Sequence, residues 1–328
     1  MKKIALVIPY FGTLPGYFPL WLMSCRYNPE MDFLIFTDDR RPFDWPENVK
    51  TVYMTWEEMQ GRIRGAFDFP AAISKPYKLC DYRPAYGEIF AGELAGYDFW
   101  GHCDLDVIWG ALSDFVTEEL LDRYDKLFGR GHFSLYRNCP LINGLYRTEV
   151  DGKPLYREIF QDEKSRLFDE WTGIDRIFQI RGIPIYDSPV VADIQSASYH
   201  FMVNADREDQ ERPQVFFWRE TEGRGRIFRY YRDHGEIVRQ EFMYIHLQKR
   251  DMTAADEIDG DFLIVPNEFI SGRGLAPYLD DPETEDEVAA AMIRTYYRRR
   301  LVNWQQVRKN MARRLRKAGR LWKKDGRK

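Results

Sequence analysis

The most constraining feature of this sequence is the alternation of short apolar segments with helical segments over its first 110 residues. Residues 4–8 (IALVI) and 32–37 (DFLIFT) are apolar runs typical of strands that are buried on both faces. Residues 20–27 lie between them and predict a helix that stops before Pro29. Strands that alternate with helices favour an α/β sheet with parallel pairing.

Later segments extend this pattern. Residues 49–54 and 97–103 predict two further strands, and Thr55 with Glu58 has the pattern of a capping box at a helix start. Residues 75–94 predict a helix in pieces, because Pro84 interrupts it. Further strands are predicted at residues 132–136, 183–186, 242–247 and 262–265.

Asp104 and Asp106 provide the clearest chemical signal. They follow the predicted strand 97–103, and residues i and i+2 of an extended segment point to the same side. Ligands of open α/β sheets bind at the carboxyl ends of strands, and Mg²⁺ and Mn²⁺ prefer carboxylate oxygens. An Asp-x-Asp pattern also arises by chance in an acidic chain, and Asp259 with Asp261 is a second instance. Only the first pair follows an aromatic-rich strand, so it is the candidate for a divalent metal.

Two blocks, residues 75–87 (KPYKLCDYRPAYG) and 99–106 (FWGHCDLD), carry a family resemblance. The Asp-x-Asp about 100 residues after the first strand resembles that of a GT-A glycosyltransferase. The blocks are similar to a bacterial family of small glycosyltransferases from surface-polysaccharide gene sets, described as a domain of unknown function. The resemblance covers residues 1–270 and implies a GT-A-like, Rossmann-type mixed sheet flanked by helices. It also implies that Asp104 and Asp106 bind Mn²⁺ or Mg²⁺ beside a nucleotide-sugar donor, with a UDP-sugar favoured.

The same resemblance places the nucleotide at the ends of the first two strands. Pro9, Tyr10 and Phe11 occupy the first position, where an aromatic ring can stack on the base, and an aromatic loop that plugs the core is the alternative. Asp38 and Asp39 occupy the second, where they bind base or ribose or serve only as turn residues.

Several other residues are assigned to the donor pocket by the resemblance. Lys75 and Lys78 share a face if their segment is helical, and Arg83 follows in the same block, although a solvated basic face explains them equally well. Asn143 lies in a loop that lines the sugar pocket or forms only a tight turn. Lys249 or Arg250 is a candidate diphosphate contact.

His246 and three acids complete the implied site. His246 is a candidate third metal ligand, with a satisfied core histidine as the alternative. Inverting transfer needs a carboxylate that deprotonates the acceptor hydroxyl, and Asp169, Glu170 and Asp175 occupy the expected helix start. Glu170 and Asp169 are preferred, and acids that merely favour the helix dipole are the alternative.

The charges of the chain are divided unequally. Residues 294–328 contain 15 bases and one acid, a charge of +14, so the net charge of −4 leaves −18 on the first 293 residues. The apolar residues of the tail are spaced as on one face of a helix, at Leu301, Trp304, Val307, Met311, Leu315, Ala318 and Trp322. A basic amphipathic helix of this kind favours an anionic membrane surface, while docking on the acidic body or on a partner are alternatives. Nucleic acid is disfavoured, because the acidic body repels phosphate.

These features predict a domain at residues 1–275, followed by an acidic linker and a basic helix at 276–328. The predicted function is metal-dependent sugar transfer from a nucleotide sugar to a saccharide or lipid-linked saccharide, in capsule or O-antigen biosynthesis. The four cysteines show no metal or disulfide spacing, and the expected location is the cytoplasmic face of the cell membrane. The alternatives are a sugar nucleotidyltransferase, disfavoured because no glycine-rich phosphate loop follows the first strand, and a non-catalytic saccharide-binding protein on the membrane.

Overall fold

A computed structural model describes residues 2–297 except 189, 197, 204–211 and 255–257, and also residues 304, 307–309 and 311–312. The chain forms two compact units. The first comprises residues 2–107 and 111–188, and the second comprises residues 108–110 and the described residues from 190 onward.

The first unit contains a seven-stranded mixed sheet in the described part of the chain. The strands are β1 (Ile4–Tyr10), β2 (Met31–Thr37), β3 (Val49–Tyr53), β4 (Phe99–Cys103), β6 (Lys126–Arg130), β7 (Phe133–Arg137) and β8 (Ile185–Tyr186), in the order β3-β2-β1-β4-β7-β6-β8. The first four strands in this order are parallel, and β7 runs antiparallel to both β4 and β6. The predicted α/β class and parallel start are therefore confirmed.

Helices flank this sheet and close its core. They are α1 (Phe18–Arg26), α2 (Trp56–Gly65), α3 (Leu79–Tyr82), α4 (Tyr86–Ile89), α5 (Glu118–Arg123), α6 (Pro140–Asn143), α7 (Leu155–Gln161) and α8 (Ile174–Ile180). The capping box of Thr55 and Glu58 is present at α2. The segment 75–94 is helical in pieces, as predicted, with single 3₁₀ turns before α3 and α4.

The second unit is built on antiparallel hairpins that the sequence analysis did not predict. Its strands are β5 (Val107–Trp109, which begins in the first unit), β9 (Val191–Asp193), β10 (Gln214–Thr221), β11 (Arg224–Asp233), β12 (Glu236–Phe242), β13 (Tyr244–His246), β14 (Thr253–Ala254), β15 (Phe262–Val265) and β16 (Glu268–Ser271). They form one sheet in the order β12-β11-β10-β15-β16-β14 and another in the order β5-β13-β9.

Two helices complete the second unit beyond residue 275. They are α9 (Ala276–Leu279) and α10 (Glu285–Tyr296), and Leu279, Met292 and Ile293 are buried in the core of this unit. The predicted acidic linker, which begins at residue 276, thus contains a buried leucine and the start of a helix. Among the described residues no helix is long and apolar enough to cross a membrane.

Most of the predicted basic helix lies outside the described residues. Residues 304, 307–309 and 311–312 are helical. Lys309 Nζ lies 2.5 Å from Asp251 Oδ1 and 3.2 Å from the carbonyl oxygen of Lys249. This contact agrees with the docked alternative for this part of the tail.

Candidate functional site

The acidic pair lies directly beyond β4. All residues of β4 are buried, and the backbone N–H of Asp104 donates to the carbonyl oxygen of His132 at 3.1 Å. Since β1 and β4 are parallel, their ends share one edge of the sheet. Carboxylate oxygens of Asp104 and Asp106 lie within 4.8 Å of one another, and both residues are half-buried. This donor set fits a hard divalent cation such as Mg²⁺ or Mn²⁺.

Arg83 connects this pair to a predicted catalytic acid. Its Nη2 donates to Asp104 Oδ1, and its Nη1 donates to Asp169 Oδ2 at 2.8 Å and to the carbonyl oxygen of Gly131 at 2.5 Å. The Arg83 side chain is only 15% exposed. A guanidinium fork orients two carboxylates at once, so Arg83 fixes the direction of Asp104.

Asp169 and Glu170 lie together beside Gly131 but differ in exposure. A methyl group at Gly131 would lie 3.0 Å from Glu170 Oε1 and 3.3 Å from Asp169 Oδ2. Asp169 is buried, its Oδ1 has no hydrogen-bond partner among the described residues, and burial raises its pKa to about 7. Glu170 is half-buried. Glu170 is therefore the acid of this pair that reaches solvent.

Asp175 forms a buried ion pair. It lies in the first turn of α8, and its Oδ1 lies 3.0 Å from Lys126 Nζ, which also donates to the carbonyl oxygen of Phe128 at 2.6 Å. Burial lowers the pKa of Lys126. Breaking such a pair leaves an uncompensated charge, so the arrangement gives Asp175 a structural role.

A shallow, open cavity of about 510 Å³ lies just beyond the carboxyl ends of β1 and β2. Asp38 Oδ1 accepts the backbone N–H of Gly12 at 2.7 Å, and Asp39 Oδ2 accepts that of Leu14 at 2.9 Å. The Arg41 guanidinium beside Asp39 holds the pKa of that carboxyl well below its usual range. Both acids thus shape the loop, and Gly12 has a φ of +99°, which favours glycine. The cavity is lined by Gly12, Thr13, Asp38, Asp39, Arg40 and Arg41.

The two aromatic residues after Pro9 have separate environments. Tyr10 is half-buried, and burial raises its pKa, with the charges of Asp106 and Asp39 adding to the shift. Phe11 is 9% exposed and packs edge-on against Trp56 at 5.2 Å. Tyr10 is therefore the ring that remains accessible near the acidic pair. The alternative prediction, of an aromatic residue that plugs the core, applies to Phe11.

Lys75 and Lys78 do not share a face. Lys75 precedes the 3₁₀ turn and is exposed, whereas Lys78 is fully buried. Lys78 Nζ contacts Asp81 Oδ2 at 2.7 Å and the carbonyl oxygens of Ile159 and Lys164 at 2.8 and 2.9 Å. These three bonds use all donors of the ammonium group, which leaves none for a sugar donor.

Asn143 closes α6, so its loop is helical and does not form a two-residue hairpin turn. The Trp100 indole N–H donates to Asn143 Oδ1 at 2.7 Å, and Asn143 Nδ2 donates to Asn138 Oδ1 at 2.8 Å. The amide oxygen and the amide nitrogen of Asn143 therefore both bond to other side chains of the protein.

The side chain of His246, in the second unit, is held in one orientation by a neighbouring carboxylate. It is buried at the end of β13, and its Nδ1 lies 2.7 Å from Asp193 Oδ1. Gln248 Nε2 donates to both oxygens of Asp193, at 2.9 and 3.1 Å. A carboxylate on one ring nitrogen directs the other nitrogen outward and raises its basicity, as is common for metal-ligating histidines.

The residues after His246 have unusual backbone geometry. Gln248 and Lys249 have φ angles of +46° and +60°, in the left-handed region that non-glycine residues rarely adopt. Lys249 is exposed. Arg250 is buried and donates to the carbonyl oxygens of residues 195, 198 and 199, so it holds that loop in place.

Three contributors to these sites were not predicted from the sequence. Arg40 and Arg41 line the cavity. Their position directly after the acidic end of β2 is the sequence feature that indicates this role. Asp193 supports His246 across 53 residues of sequence, a distance over which no motif indicated the pairing.

Comparison with known proteins gives one family match and similar solved structures, of which two are described. The sequence matches a family described as "Family of unknown function (DUF6625)" over residues 6–273. No curated protein matches the chain. The chain is similar to mouse xyloside xylosyltransferase 1 in its apo form, with a TM-score of 0.34 and 10% identity over 60% of this chain and 88% of that one. It is also similar to the glycosyltransferase GlyE of Streptococcus pneumoniae TIGR4, with a TM-score of 0.27 and 13% identity over 50% of this chain and 45% of that one.

Proposed function

The chain belongs to the DUF6625 family of unknown function, and we propose that it is a metal-dependent glycosyltransferase of GT-A-like fold. It would transfer a sugar from a nucleoside-diphosphate donor to a saccharide acceptor. The observation that carries the proposal is the approach of Asp104 and Asp106 within 4.8 Å at the carboxyl end of β4. The cavity at the ends of β1 and β2 opens on the same edge, where open α/β sheets bind their ligands.

Each part of this edge has a proposed role. Asp104 and Asp106 hold a divalent ion, which supplies Lewis-acid stabilisation to the departing nucleoside diphosphate. Arg83 keeps Asp104 oriented. Asp38 and Asp39 hold the loop that the nucleotide contacts, and the guanidinium groups of Arg40 and Arg41 suit a diphosphate.

His246 is the proposed third ligand. The support is the resemblance and the Asp193 carboxylate, which lies 2.7 Å from its Nδ1 and orients the ring. Lys249, exposed beside it, stays a predicted diphosphate contact.

Purified protein incubated with a panel of nucleotide sugars tests the proposal. We expect release of nucleoside diphosphate that depends on Mn²⁺ or Mg²⁺ and is abolished by a chelator. A nucleotidyltransferase would instead form pyrophosphate from nucleoside triphosphate and sugar phosphate, and a binding protein would give no product. Absence of turnover and of thermal stabilisation with every donor would contradict the proposal, since binding to the native state raises stability.

Glu170 is the proposed base, because Asp169 and Asp175 are buried and paired with Arg83 and Lys126. For inverting transfer we expect Glu170→Gln to lower turnover by about 10²–10⁴-fold with little change in donor affinity. The measurement is steady-state turnover beside calorimetric donor binding, with exposed Glu47→Gln as the matched control. Turnover within twofold of wild type would remove Glu170 from this role.

Attachment to the cytoplasmic membrane face, with a lipid-linked acceptor in polysaccharide biosynthesis, stays a prediction from the basic tail. A chain that ends at residue 297 keeps α10 and its core contacts, so it isolates the effect of the tail. We expect this truncation to abolish co-sedimentation with anionic vesicles that the full chain shows. Equal binding by both chains would contradict the prediction.

A further inference from the structure

Residues 167–173 present two large apolar side chains to solvent. Trp171 is 73% exposed and Leu167 is 42% exposed. Within the described part of the chain, the Trp171 ring pairs with no other aromatic ring and its indole N–H has no acceptor. Two exposed apolar side chains on one short segment make that segment a candidate contact surface for a ligand.

The backbone that carries these side chains is fixed. The N–H of Glu170 donates to the carbonyl oxygen of Leu167 at 3.2 Å, and the N–H of Gly173 donates to that of Glu170 at 2.9 Å. A methyl group at Gly173 would lie 2.2 Å from the Phe168 carbonyl oxygen, so this turn requires glycine. Leu167 has a φ of +55°, a conformation that costs free energy in a leucine and is retained where the surroundings impose it.

Buried charges hold the segment from beneath. Asp81 accepts the backbone N–H groups of Arg166 and Phe168 at 3.0 and 3.1 Å, and Lys78 Nζ donates to the carbonyl oxygen of Lys164 at 2.9 Å. Asp81 and Lys78 are fully buried. A rigid turn loses little conformational entropy when a ligand binds to its exposed ring.

Trp171 also adjoins the chemistry of the first unit. It directly follows Glu170, whose carboxylate lies beside Gly131, and Gly131 and Asp169 both accept hydrogen bonds from Arg83. We propose that Trp171 and Leu167 form the acceptor subsite, on which one pyranose ring of the saccharide stacks. This inference rests on the proposed function, in which Glu170 takes the proton of the acceptor hydroxyl.

The chemistry of the two side chains suits a sugar ring. The indole face packs against the C–H groups of a pyranose, while the indole N–H donates to a ring hydroxyl. The proposed donor site is the cavity lined by Asp38 and Arg40, and neither Trp171 nor Leu167 belongs to its lining. The ligand that contacts Trp171 and Leu167 is therefore the acceptor.

The test is NMR of the ¹⁵N-labelled full chain, with the Trp171 indole resonance assigned from Trp171→Phe. The probes are methyl glycosides of glucose, galactose and N-acetylglucosamine at millimolar concentration. We expect at least one glycoside to shift this resonance saturably. In backbone titrations Trp171→Ala should weaken its binding about tenfold, which is about 1.4 kcal/mol, while Trp171→Phe retains most of it. Leu167→Asn, which tolerates a positive φ, should also weaken binding.

Trp304→Ala is the matched control, because Trp304 is 66% exposed and should not affect binding. No response of Trp171 to any of the three glycosides, or an equal response of Trp304, would overturn the inference. Donor hydrolysis measured on the same samples separates the two failures. Hydrolysis without a Trp171 response overturns the acceptor subsite alone, whereas absent hydrolysis with every donor contradicts the proposed function.

Discussion

Asp104→Asn and Asp106→Asn are each expected to lower donor turnover by about a thousandfold or more. A metal ion stabilises the transition state by several kcal/mol, and each 1.36 kcal/mol corresponds to a factor of about ten. Asparagine keeps the size of the side chain but removes the charge that binds the cation. Affinity for Mn²⁺, measured from the signal of the free ion by electron paramagnetic resonance, should fall together with turnover.

The two substitutions separate ion binding from support by Arg83. Asp104→Asn alters the contact with Arg83, whereas Asp106→Asn leaves that contact intact. Loss of Mn²⁺ affinity in both variants therefore indicates a shared ion, while loss in Asp104→Asn alone indicates a failure of the Arg83 contact. Asp259→Asn, from the second Asp-x-Asp of the chain, is the matched control and should behave as wild type.

The proposed third ligand, His246, gives a further test of Mn²⁺ binding. Asp193→Asn should weaken Mn²⁺ affinity by about 10–100-fold, because the carboxylate sets the orientation and basicity of the ring. His246→Gln should weaken it at least as much. Unchanged Mn²⁺ affinity in both variants would leave His246 as a core histidine.

The strands of the first unit were predictable because their signals are local. β1 and β2 each contain an uninterrupted apolar run, at residues 4–8 and 33–36, and the capping box at Thr55 marks a helix start within four residues. The position of Asp104 followed from its place after such a strand. In each case the residues that determine the structure lie within one segment.

The hairpins of the second unit had a weaker signal. The loop between β10 and β11 is Glu222-Gly223, and that between β11 and β12 is His234-Gly235, with positive φ at all four residues. Two-residue loops of this kind favour Asn-Gly or Asp-Gly, so Glu-Gly and His-Gly were not recognised. Arginines on the strands further obscured the alternation, because Arg219 and Arg229 are buried.

Long-range pairing explains the incorrect prediction for Lys78. Its spacing from Lys75 predicted a common helical face, but Lys75 is extended, with φ −149° and ψ 149°, and lies outside the 3₁₀ turn that contains Lys78. The partners of Lys78 at Ile159 and Lys164 are 81 and 86 residues away. No local pattern distinguishes a lysine that binds a ligand from one that is buried by such a distant segment.

This buried pair carries the second large prediction, that Lys78→Met destabilises the fold by about 3–5 kcal/mol. The Lys78 and Asp81 side chains are both 0% exposed, so removal of the ammonium leaves Asp81 charged and uncompensated. Arg26→Met is the matched control, because its pair with Asp44 has a similar length but is 51% and 89% exposed. An exposed pair contributes at most about 1 kcal/mol. Urea unfolding gives both free energies.

The double variant Lys78→Met, Asp81→Asn tests the cause. It removes the uncompensated charge while the side-chain carbonyl introduced at position 81 still accepts one backbone N–H, so it should be more stable than Lys78→Met alone. If the double variant were the less stable of the two, charge burial would not explain the loss.

Because the pair holds residues 164–168, Lys78→Met should also speed amide hydrogen exchange there before global unfolding. The same loosening releases the turn that presents Trp171, so acceptor affinity should fall while Mn²⁺ affinity at Asp104 and Asp106 is retained.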